Sequence, residues 1–354
     1  MIDSIESKTF VNQRSSTFKI ATGSSNLEEN IIVRVVSGDD FGVGSGNPTN
    51  VTNETRESIE TFLAKAAKKL VGTEEDDLLK LHQRLDSIAE GNTAAKAAVD
   101  IAVFDLLSKR DGKPLGEFLG GDRGDRVVTD MTIGIESKSV TVQKALLHYK
   151  EGFRALKLKV GLDLAEDVSR VAAVREAVGP RVELRVDANQ GYTVEQAIKF
   201  CEAMESYNVA VVEQPVKAED YSGLKKVSEA SEIPVMADEC VKSVTDARKV
   251  CREGIADMIN IKLMKSAGIN DAVMINKLAE ATDVKTMIGC MGEIQVSIAA
   301  GLQFALSTGN VIFADLDSHF NIIDDPSSGL AFEDGFLIAS KAPGLGVKTP
   351  LDLP

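Results

Sequence analysis

The sequence predicts an α/β protein in which an α+β domain precedes an eight-stranded parallel barrel. From Val127 to Asp317, apolar stretches alternate with helical patterns, and polar, ionisable or glycine residues end these stretches about every 26 residues. That interval is the length of one strand, one helix and two short loops, and eight such units favour closure into a barrel. The first 120 or so residues lack this alternation, which indicates a separate domain.

The N-terminal region is predicted to pair short strands and to pack helices on them. Strand patterns occur at residues 2–11, 17–22 and 30–36, and we interpret the glycine-rich segment 42–47 as a tight turn. Helical patterns follow at 54–70, 74–89 and 93–110. The glycine- and proline-rich C-terminal segment is expected to return to this region. The predicted capping domain therefore comprises residues 1–122 and 321–354.

The barrel is expected within residues 123–320. The carboxyl ends of its strands should gather at one face, where such folds place their chemistry. The predicted strands are residues 127–135, 155–161, 182–188, 209–215, 234–239, 258–264, 285–291 and 311–317.

Three carboxylates predict a metal site at that face. Asp187, Glu213 and Asp238 each follow an apolar run and precede a turn. Three anionic oxygens converging in a partly dry site would repel one another, and a hard divalent cation removes that repulsion. All-oxygen ligands suit Mg²⁺ best, with Mn²⁺ as the alternative. The competing interpretation is three unrelated loop carboxylates, which their even spacing disfavours.

Lysines at two strand ends indicate proton-transfer bases. Lys157 and Lys159 are two residues apart in a strand and therefore point to the same side, into the barrel, while the alternate leucines face the helices. Two ammonium groups held close near a metal should lower each other's pKa, which makes a lysine a usable general base. The alternative is a pair of exposed lysines on an edge strand, which a closed barrel does not have.

Lys262 ends a later strand and is expected across the barrel mouth from Lys159. Bases on opposite sides of one carbon acid can remove and return a proton on opposite faces, which favours racemisation or epimerisation. The alternative role for Lys262 is structural pairing with a carboxylate. Asp315 and Asp317 share one face of the last strand and are expected to attract a cation, which we interpret as a substrate ammonium. A second metal is the competing interpretation there.

The overall composition excludes several classes of protein. A net charge of −14 argues against a nucleic-acid surface. The N-terminal residues lack the pattern of a signal peptide, and no apolar run is long enough to span a membrane. The four cysteines show no paired spacing, so we expect a reduced, cytoplasmic compartment without structural zinc.

The motifs resemble those of the enolase superfamily, specifically its muconate-lactonising subgroup, over essentially the whole chain. The resemblance implies a (β/α)7β TIM-like barrel with an α+β capping domain. It implies Mg²⁺ held by Asp187, Glu213 and Asp238, with Lys159 and Lys262 as the acid/base pair. The matching segments are DLLSKRDGKPLGEFLGG, KLK, VDANQGY, VEQP, ADE, NIKLMKSAG and DLD.

Within the subgroup, the last-strand DxD is similar to that of dipeptide epimerases, where it holds the α-ammonium group of the substrate. This implies Mg²⁺-dependent inversion of the C-terminal α-carbon of an L,L-dipeptide, by a two-lysine proton transfer through an enediolate. The expected partners are a small dipeptide and further copies of the chain. Other expected substrate contacts are Lys157, Thr132, Cys290 and Met291, with Asn189, Glu239 and Lys265 supporting the ligands from behind.

One segment departs from the family pattern. Where the Ala-Glu epimerases of the family carry an arginine in a lid loop, this sequence has Gly23, followed by Ser24. A substrate with an acidic C-terminal side chain would lack its expected partner there. Two alternative functions stay open. One is another enzyme of the subgroup: a cycloisomerase, an o-succinylbenzoate synthase or an acid-sugar dehydratase. The other is a non-catalytic metal- or ligand-binding barrel.

Overall fold

An antiparallel sheet and helices form the N-terminal part of the chain. The computed structural model describes residues 1–21 and 23–352. The strands predicted at 2–11 and 17–22 are joined in one long strand that ends at Ile20, because pairing continues past a register irregularity between Gln13 and Phe18; residue 22 lies outside the described residues. The sheet has strands β1 (Ser4–Ile20), β2 (Gly23–Ser37) and β3 (Asp40–Gly46), and the helices are α1 (Arg56–Leu70), α2 (Leu78–Asp86), α3 (Thr93–Arg110) and α4 (Leu115–Phe118).

The prediction of a tight turn at residues 42–47 is wrong, because most of this segment lies in β3. Gly42, Gly44 and Gly46 alternate along the strand and so face the same side, where α3 lies. A Cβ at Gly42 or Gly44 would overlap the α3 backbone at the carbonyl of Ala102 or Ala98. The glycines therefore serve close packing between strand and helix. Nearly all of α3 is buried, which its alanine-rich sequence permits without crowding.

After a short strand, β4 (Arg126–Val128), eight parallel strands follow, each beside the next in chain order, with helices between them. The fold class predicted from the sequence is confirmed. The elements are β5 (Asp130–Ile133), α5 (Lys138–Lys150), β6 (Ala155–Lys159), α6 (Leu164–Val178), β7 (Glu183–Asp187), α7 (Val194–Glu205), β8 (Val209–Glu213), α8 (Tyr221–Ala230), β9 (Val235–Ala237), α9 (Val244–Glu253), β10 (Met258–Lys262), α10 (Ile269–Glu280), β11 (Lys285–Gly289), α11 (Gln295–Leu306) and β12 (Val311–Asp315).

Contacts between β12 and β5 close the barrel. Thr129, just before β5, forms a parallel bridge with Ala314. The hydroxyl of Thr129 also accepts a hydrogen bond from the Leu316 backbone N–H at 3.0 Å. In a ring of eight strands, β6 and β10 are four positions apart and therefore form opposite walls.

The C-terminal segment contacts both parts of the chain. After a short 3-10 helix (Ser318–Asn321), β13 (Ala331–Glu333) pairs with β14 (Phe336–Ile338), which in turn pairs with β4 (Arg126–Val128). Beyond them, the Gly344 carbonyl accepts a hydrogen bond from the Leu115 N–H at 2.9 Å. No helix within residues 1–21 and 23–352 is both long and apolar enough to cross a membrane.

Candidate active site

Strand register brings the predicted side chains to one level at the carboxyl ends of the strands. Lys159 pairs in register with Asp187, which pairs in turn with Glu213. On the far wall, Lys262 pairs with Gly289 of β11. Because residues in register on neighbouring parallel strands point to the same side of the sheet, these side chains converge on one interior space. Lys159 and Lys262 enter that space from opposite walls.

The three predicted metal ligands lie together. Asp187, Glu213 and Asp238 are at most 1% exposed, and each offers an oxygen within 4.8 Å of the others. Burial, and then the charge of Asp187, raises the pKa of Glu213 to about 8. A divalent cation would relieve that repulsion, and an all-oxygen set is what Mg²⁺ prefers. The donor set therefore fits the predicted ion.

Lysine ammonium groups surround these carboxylates. The Nζ of Lys157 lies 2.5 Å from Glu213, 2.7 Å from Asp315 and 3.4 Å from Asp187. The Nζ of Lys159 lies 2.6 Å from Asp187 Oδ2. These contacts join four strands of the barrel through one cluster of charges.

The pKa of Lys157 is raised, whereas its pairing with a second lysine was expected to lower it, and the pKa of Lys262 is raised as well. Burial lowers the pKa of Lys157 and of Lys262, but neighbouring carboxylates outweigh burial and raise both. Asp238 contributes most to the rise at Lys262, whose Nζ lies 2.8 Å from Asp238 Oδ2. The prediction considered repulsion between the ammonium groups near a metal. In the structure, each lysine is instead paired with the carboxylates predicted to bind that metal.

The acidic pair of the last strand has two different environments. Burial opposes ionisation of Asp315, but the Lys157 ammonium outweighs it and lowers the pKa. Burial, and then the charge of Asp315, raises the pKa of Asp317. Asp317 accepts hydrogen bonds from the Thr132 N–H at 2.6 Å and from the Cys290 thiol at 3.8 Å. No Lys, Arg or His pairs with Asp317 in the part of the chain that the structure describes.

Cys290 also lies near enough to the pair to form a candidate three-ligand group, because its sulfur and the two carboxylates are within 4.8 Å of one another. A metal there would need the thiolate. Burial and the charges of Asp315 and Asp317 raise the pKa of the Cys290 thiol well above its usual range. An ammonium group could donate hydrogen bonds to the two carboxylates without any change in the protonation of Cys290.

Comparison with known proteins shows the family of the chain. Residues 4–120 match the model of the mandelate racemase/muconate lactonizing enzyme N-terminal domain. Residues 141–352 match the model of the enolase C-terminal domain-like family. The chain belongs to the mandelate racemase/muconate lactonizing enzyme family. The resemblance to the enolase superfamily is thus confirmed.

Similar members of this family are epimerases. The chain is 38% identical to a hydrophobic dipeptide epimerase of Enterococcus faecalis, over 94% of this chain and 95% of the relative. It is also 38% identical to an L-Ala-D/L-Glu epimerase of Clostridium acetobutylicum, over 94% of each. These relatives are isomerases that act on amino acid derivatives, and the chain is an enzyme of that class, as predicted.

A solved structure extends the comparison to bound ligands. The dipeptide epimerase of Enterococcus faecalis, in complex with Mg and the dipeptide L-Leu-L-Tyr, superposes with a TM-score of 0.95 at 36% identity. The match covers 98% of this chain and 99% of that chain.

Two of the three predicted supporting residues, Asn189 and Lys265, contact predicted metal ligands, and the third, Glu239, contacts Asn189. The Asn189 backbone N–H donates to Asp187 Oδ1 at 2.9 Å, and its side-chain amide donates to Glu239 at 3.1 Å. Lys265 is 1% exposed at its side chain and pairs with Asp238 Oδ1. Its Nζ also donates to the Asp238 carbonyl at 2.6 Å. Together these contacts restrain Asp187, Asp238 and Glu239 in the interior of the barrel.

Two further supports of the carboxylates were not predicted from the sequence. The Asn260 amide donates to Glu213 Oε1 at 2.6 Å, and a Cβ at Gly289 would lie 2.5 Å from Asn260 Oδ1. Gln214 Oε1 accepts a hydrogen bond from the Asp238 N–H at 2.9 Å. For Asn260 the signal was available, because it precedes Lys262 by two residues and so faces the same interior. For Gln214 no pattern in the sequence indicated the contact.

The predicted lid residues lie at the end of the β1–β2 hairpin. Gly23 and Ser24 are exposed and pair with Ile20 and Lys19. The hairpin end reaches the barrel, where the Lys19 carbonyl accepts a hydrogen bond from the Ile135 N–H at 2.8 Å. The segment is therefore a strand pair resting on the loop after β5, rather than an isolated loop.

Further contacts connect β2 with the loop after β11, which contains Met291. The Asn30 amide donates to the Gly292 carbonyl at 3.1 Å. A Cβ at Gly292 would overlap the carboxylate of Glu28. Met291 is half-buried, and its N–H donates to Glu293 Oε1 at 2.8 Å. The hairpin and this loop are thus packed together near the acidic pair.

Proposed function

We propose that this enzyme inverts the C-terminal α-carbon of a dipeptide by proton transfer between two lysines, with Mg²⁺ as cofactor and Mn²⁺ as the alternative ion. The observation that carries the proposal is the buried carboxylate of Asp317, which pairs with no Lys, Arg or His of the described residues, in a barrel that also carries two lysines on opposite walls. The carboxylate suits a substrate ammonium, and the opposed lysines suit removal and return of a proton on opposite faces.

Lys159 and Lys262 would each face one side of an α-carbon held between β6 and β10. One lysine, as the neutral amine, removes the α-proton. The other, as the ammonium, returns a proton to the opposite face, which inverts the configuration. The roles exchange when the other epimer is the substrate, so the reaction runs in both directions. Lys157, fully buried among carboxylates, would contribute positive charge beside the substrate carboxylate.

Asp187, Glu213 and Asp238 would hold the Mg²⁺ ion. When bound, Mg²⁺ would supply positive charge to the substrate carboxylate and stabilise the negative charge that develops as the α-proton leaves. Binding of the ion by these three carboxylates would also weaken their pairing with the lysines. The carboxylates would then raise the lysine pKa less, which favours the neutral amine that a general base requires.

We propose a C-terminal residue without an acidic side chain. Residues 23–30 of the lid strand contain no Lys or Arg but include Glu28 and Glu29. Arg14, on the adjacent strand, pairs with Glu28 at 2.8 Å and stacks on the Phe18 ring at 4.7 Å. Its charge is therefore already neutralised. The L-Leu-L-Tyr ligand of the Enterococcus faecalis structure is a dipeptide of the proposed kind.

A library of dipeptides and their N-acetylated forms tests the proposal. Epimerisation in Mg²⁺ buffer is measured by chromatography that separates diastereomers, with EDTA as the metal control. We expect turnover of free dipeptides and loss of turnover on N-acetylation, because the acetyl group removes the ammonium that Asp317 would bind. Equal turnover of N-acylated compounds would reject the ammonium site and favour an N-acylamino acid racemase, as in the 30% identical N-succinyl-L-Arg/Lys racemase of Bacillus cereus.

A further inference from the structure

A buried aspartate of the capping domain contacts the loop that follows one of the two lysines. Asp100 lies in the middle of α3 and is 0% exposed. Its Oδ2 accepts a hydrogen bond from the backbone N–H of Ile269, the first residue of α10. Its Oδ1 lies 2.7 Å from the Nε2 of His82 in α2. Asp100 thus joins two helices of the N-terminal region to the start of a barrel helix.

The backbone just before α10 leaves room for the Asp100 carboxylate. Gly268 precedes α10 with a φ of +114°, a conformation that side chains rarely adopt, and a Cβ there would overlap the Asp100 carboxylate. The first N–H groups of α10 have no acceptor within the helix, and Gly268 has no side chain that could supply one. Asp100 supplies that cap from another part of the chain, and a carboxylate at a helix N-terminus is favourable.

The same turn is bonded to Lys262. Ser266 N–H donates to the Lys262 carbonyl at 3.1 Å, and the Ser266 hydroxyl lies 3.3 Å from both the Lys262 and the Gly268 carbonyls. Gly268 N–H donates to the Leu263 carbonyl at 2.9 Å. Displacement of the start of α10 would therefore move the backbone that carries Lys262.

The opposite lysine is held differently. The Lys159 carbonyl accepts a hydrogen bond from Arg170 of α6 at 3.1 Å. The next turn is fixed by Asp167, which accepts from the Gly161 N–H at 2.9 Å. Both supports come from the barrel itself. The capping domain therefore contacts the loop of one base, while a barrel helix supports the other.

We propose that Asp100, backed by His82, is a positioning residue for Lys262 and not for Lys159. The inference rests on the proposed function, because it concerns the two bases of that reaction. Loss of Asp100 should then slow proton removal on one face of the substrate more than on the other. A general loss of stability would slow both faces alike.

The test compares Asp100→Ala with Asp105→Ala. Asp105 is a matched control, because it is equally buried on the same helix but accepts from the Val43 and Leu345 N–H groups instead of the loop after β10. Exchange of the α-hydrogen with D₂O is measured from each pure epimer, with Lys262→Ala as the reference. We expect Asp100→Ala to slow the same epimer as Lys262→Ala, by about 10- to 100-fold, as for a catalytic group displaced by about 1 Å.

An equal loss for both epimers, or the same bias in Asp105→Ala, would overturn the inference. If Asp100→Ala does not fold, Asp100→Asn keeps the shape and should show a smaller bias in the same direction. If the unaltered enzyme exchanges neither epimer, the proposed function fails on its own. Backbone amide exchange of residues 263–270 then decides: faster exchange in Asp100→Ala than in Asp105→Ala supports the contact's role, and equal exchange rejects it.

Discussion

Replacing Lys157 with methionine should reveal the metal site through stability. The ammonium contacts Asp187, Glu213 and Asp315 and is 1% exposed at its side chain. Its removal leaves these buried carboxylates without their shared cation. Removing one partner of a buried ion pair costs about 3–5 kcal/mol. At about 2 °C per kcal/mol, the melting temperature in EDTA should fall by about 6–10 °C.

Mg²⁺ should stabilise Lys157→Met more than it stabilises the unaltered protein. The more negative site should bind the ion at least about tenfold more tightly, which adds about 1.4 kcal/mol to the stabilisation seen in the unaltered protein. Arg185→Met is the matched control, since Arg185 is 2% exposed and its partner Asp130, at 2.9 Å, lies deeper in the barrel. Calorimetric melting with and without Mg²⁺ measures both variants. Equal stabilisation of the two by Mg²⁺ would refute the reasoning.

Three further predictions concern the fold and the ligands. Gly44→Ala should lower the free energy of unfolding by about 1–3 kcal/mol, because the added Cβ overpacks against α3. Gly309→Ala is the control, since no atom lies within 4 Å of its added Cβ, and it should leave the free energy of unfolding unchanged. Equal denaturation midpoints for the two variants would contradict this prediction. Asn260→Ala should weaken Mg²⁺ binding about 10- to 100-fold, and an unchanged calorimetric Kd would reject the support of Glu213. Because burial raises the pKa of Glu213 from 4.5 to about 8, bound protons compete with Mg²⁺. Affinity should therefore fall as pH is lowered below about 8, and metal-free stability should fall as pH rises from 4.5 to 8; affinity independent of pH would exclude this competition.

Much of the site could be predicted because a strand end is visible in sequence. Asp187, Glu213 and Lys262 each close an apolar run, and the repeat interval places such ends on one barrel face. The positions of the side chains then follow from the parallel register. Strand order and the two-residue alternation of side chains were therefore enough to predict that these residues meet.

Other features depend on which elements meet in space. The glycines of β3 looked like a turn, because nothing local indicates that α3 lies against them. The contact between Asp100 and Ile269 joins residues 169 positions apart, so neither segment predicts it alone. The direction of the lysine pKa depends on the balance between burial, ammonium repulsion and carboxylate attraction. That balance is set by distances of a few ångströms that the sequence does not contain.

Deuterium incorporation tests the two-lysine reaction most directly. Each epimer of a turned-over dipeptide is incubated in D₂O with Mg²⁺ and the unaltered enzyme, Lys159→Ala or Lys262→Ala, and mass spectrometry and NMR locate the label. We predict label at the C-terminal α-carbon with the unaltered enzyme. Each variant should lose epimerisation but keep exchange of one epimer, opposite for the two variants. Epimerisation without label, or full activity in both variants, would contradict the reaction proposed for this enzyme.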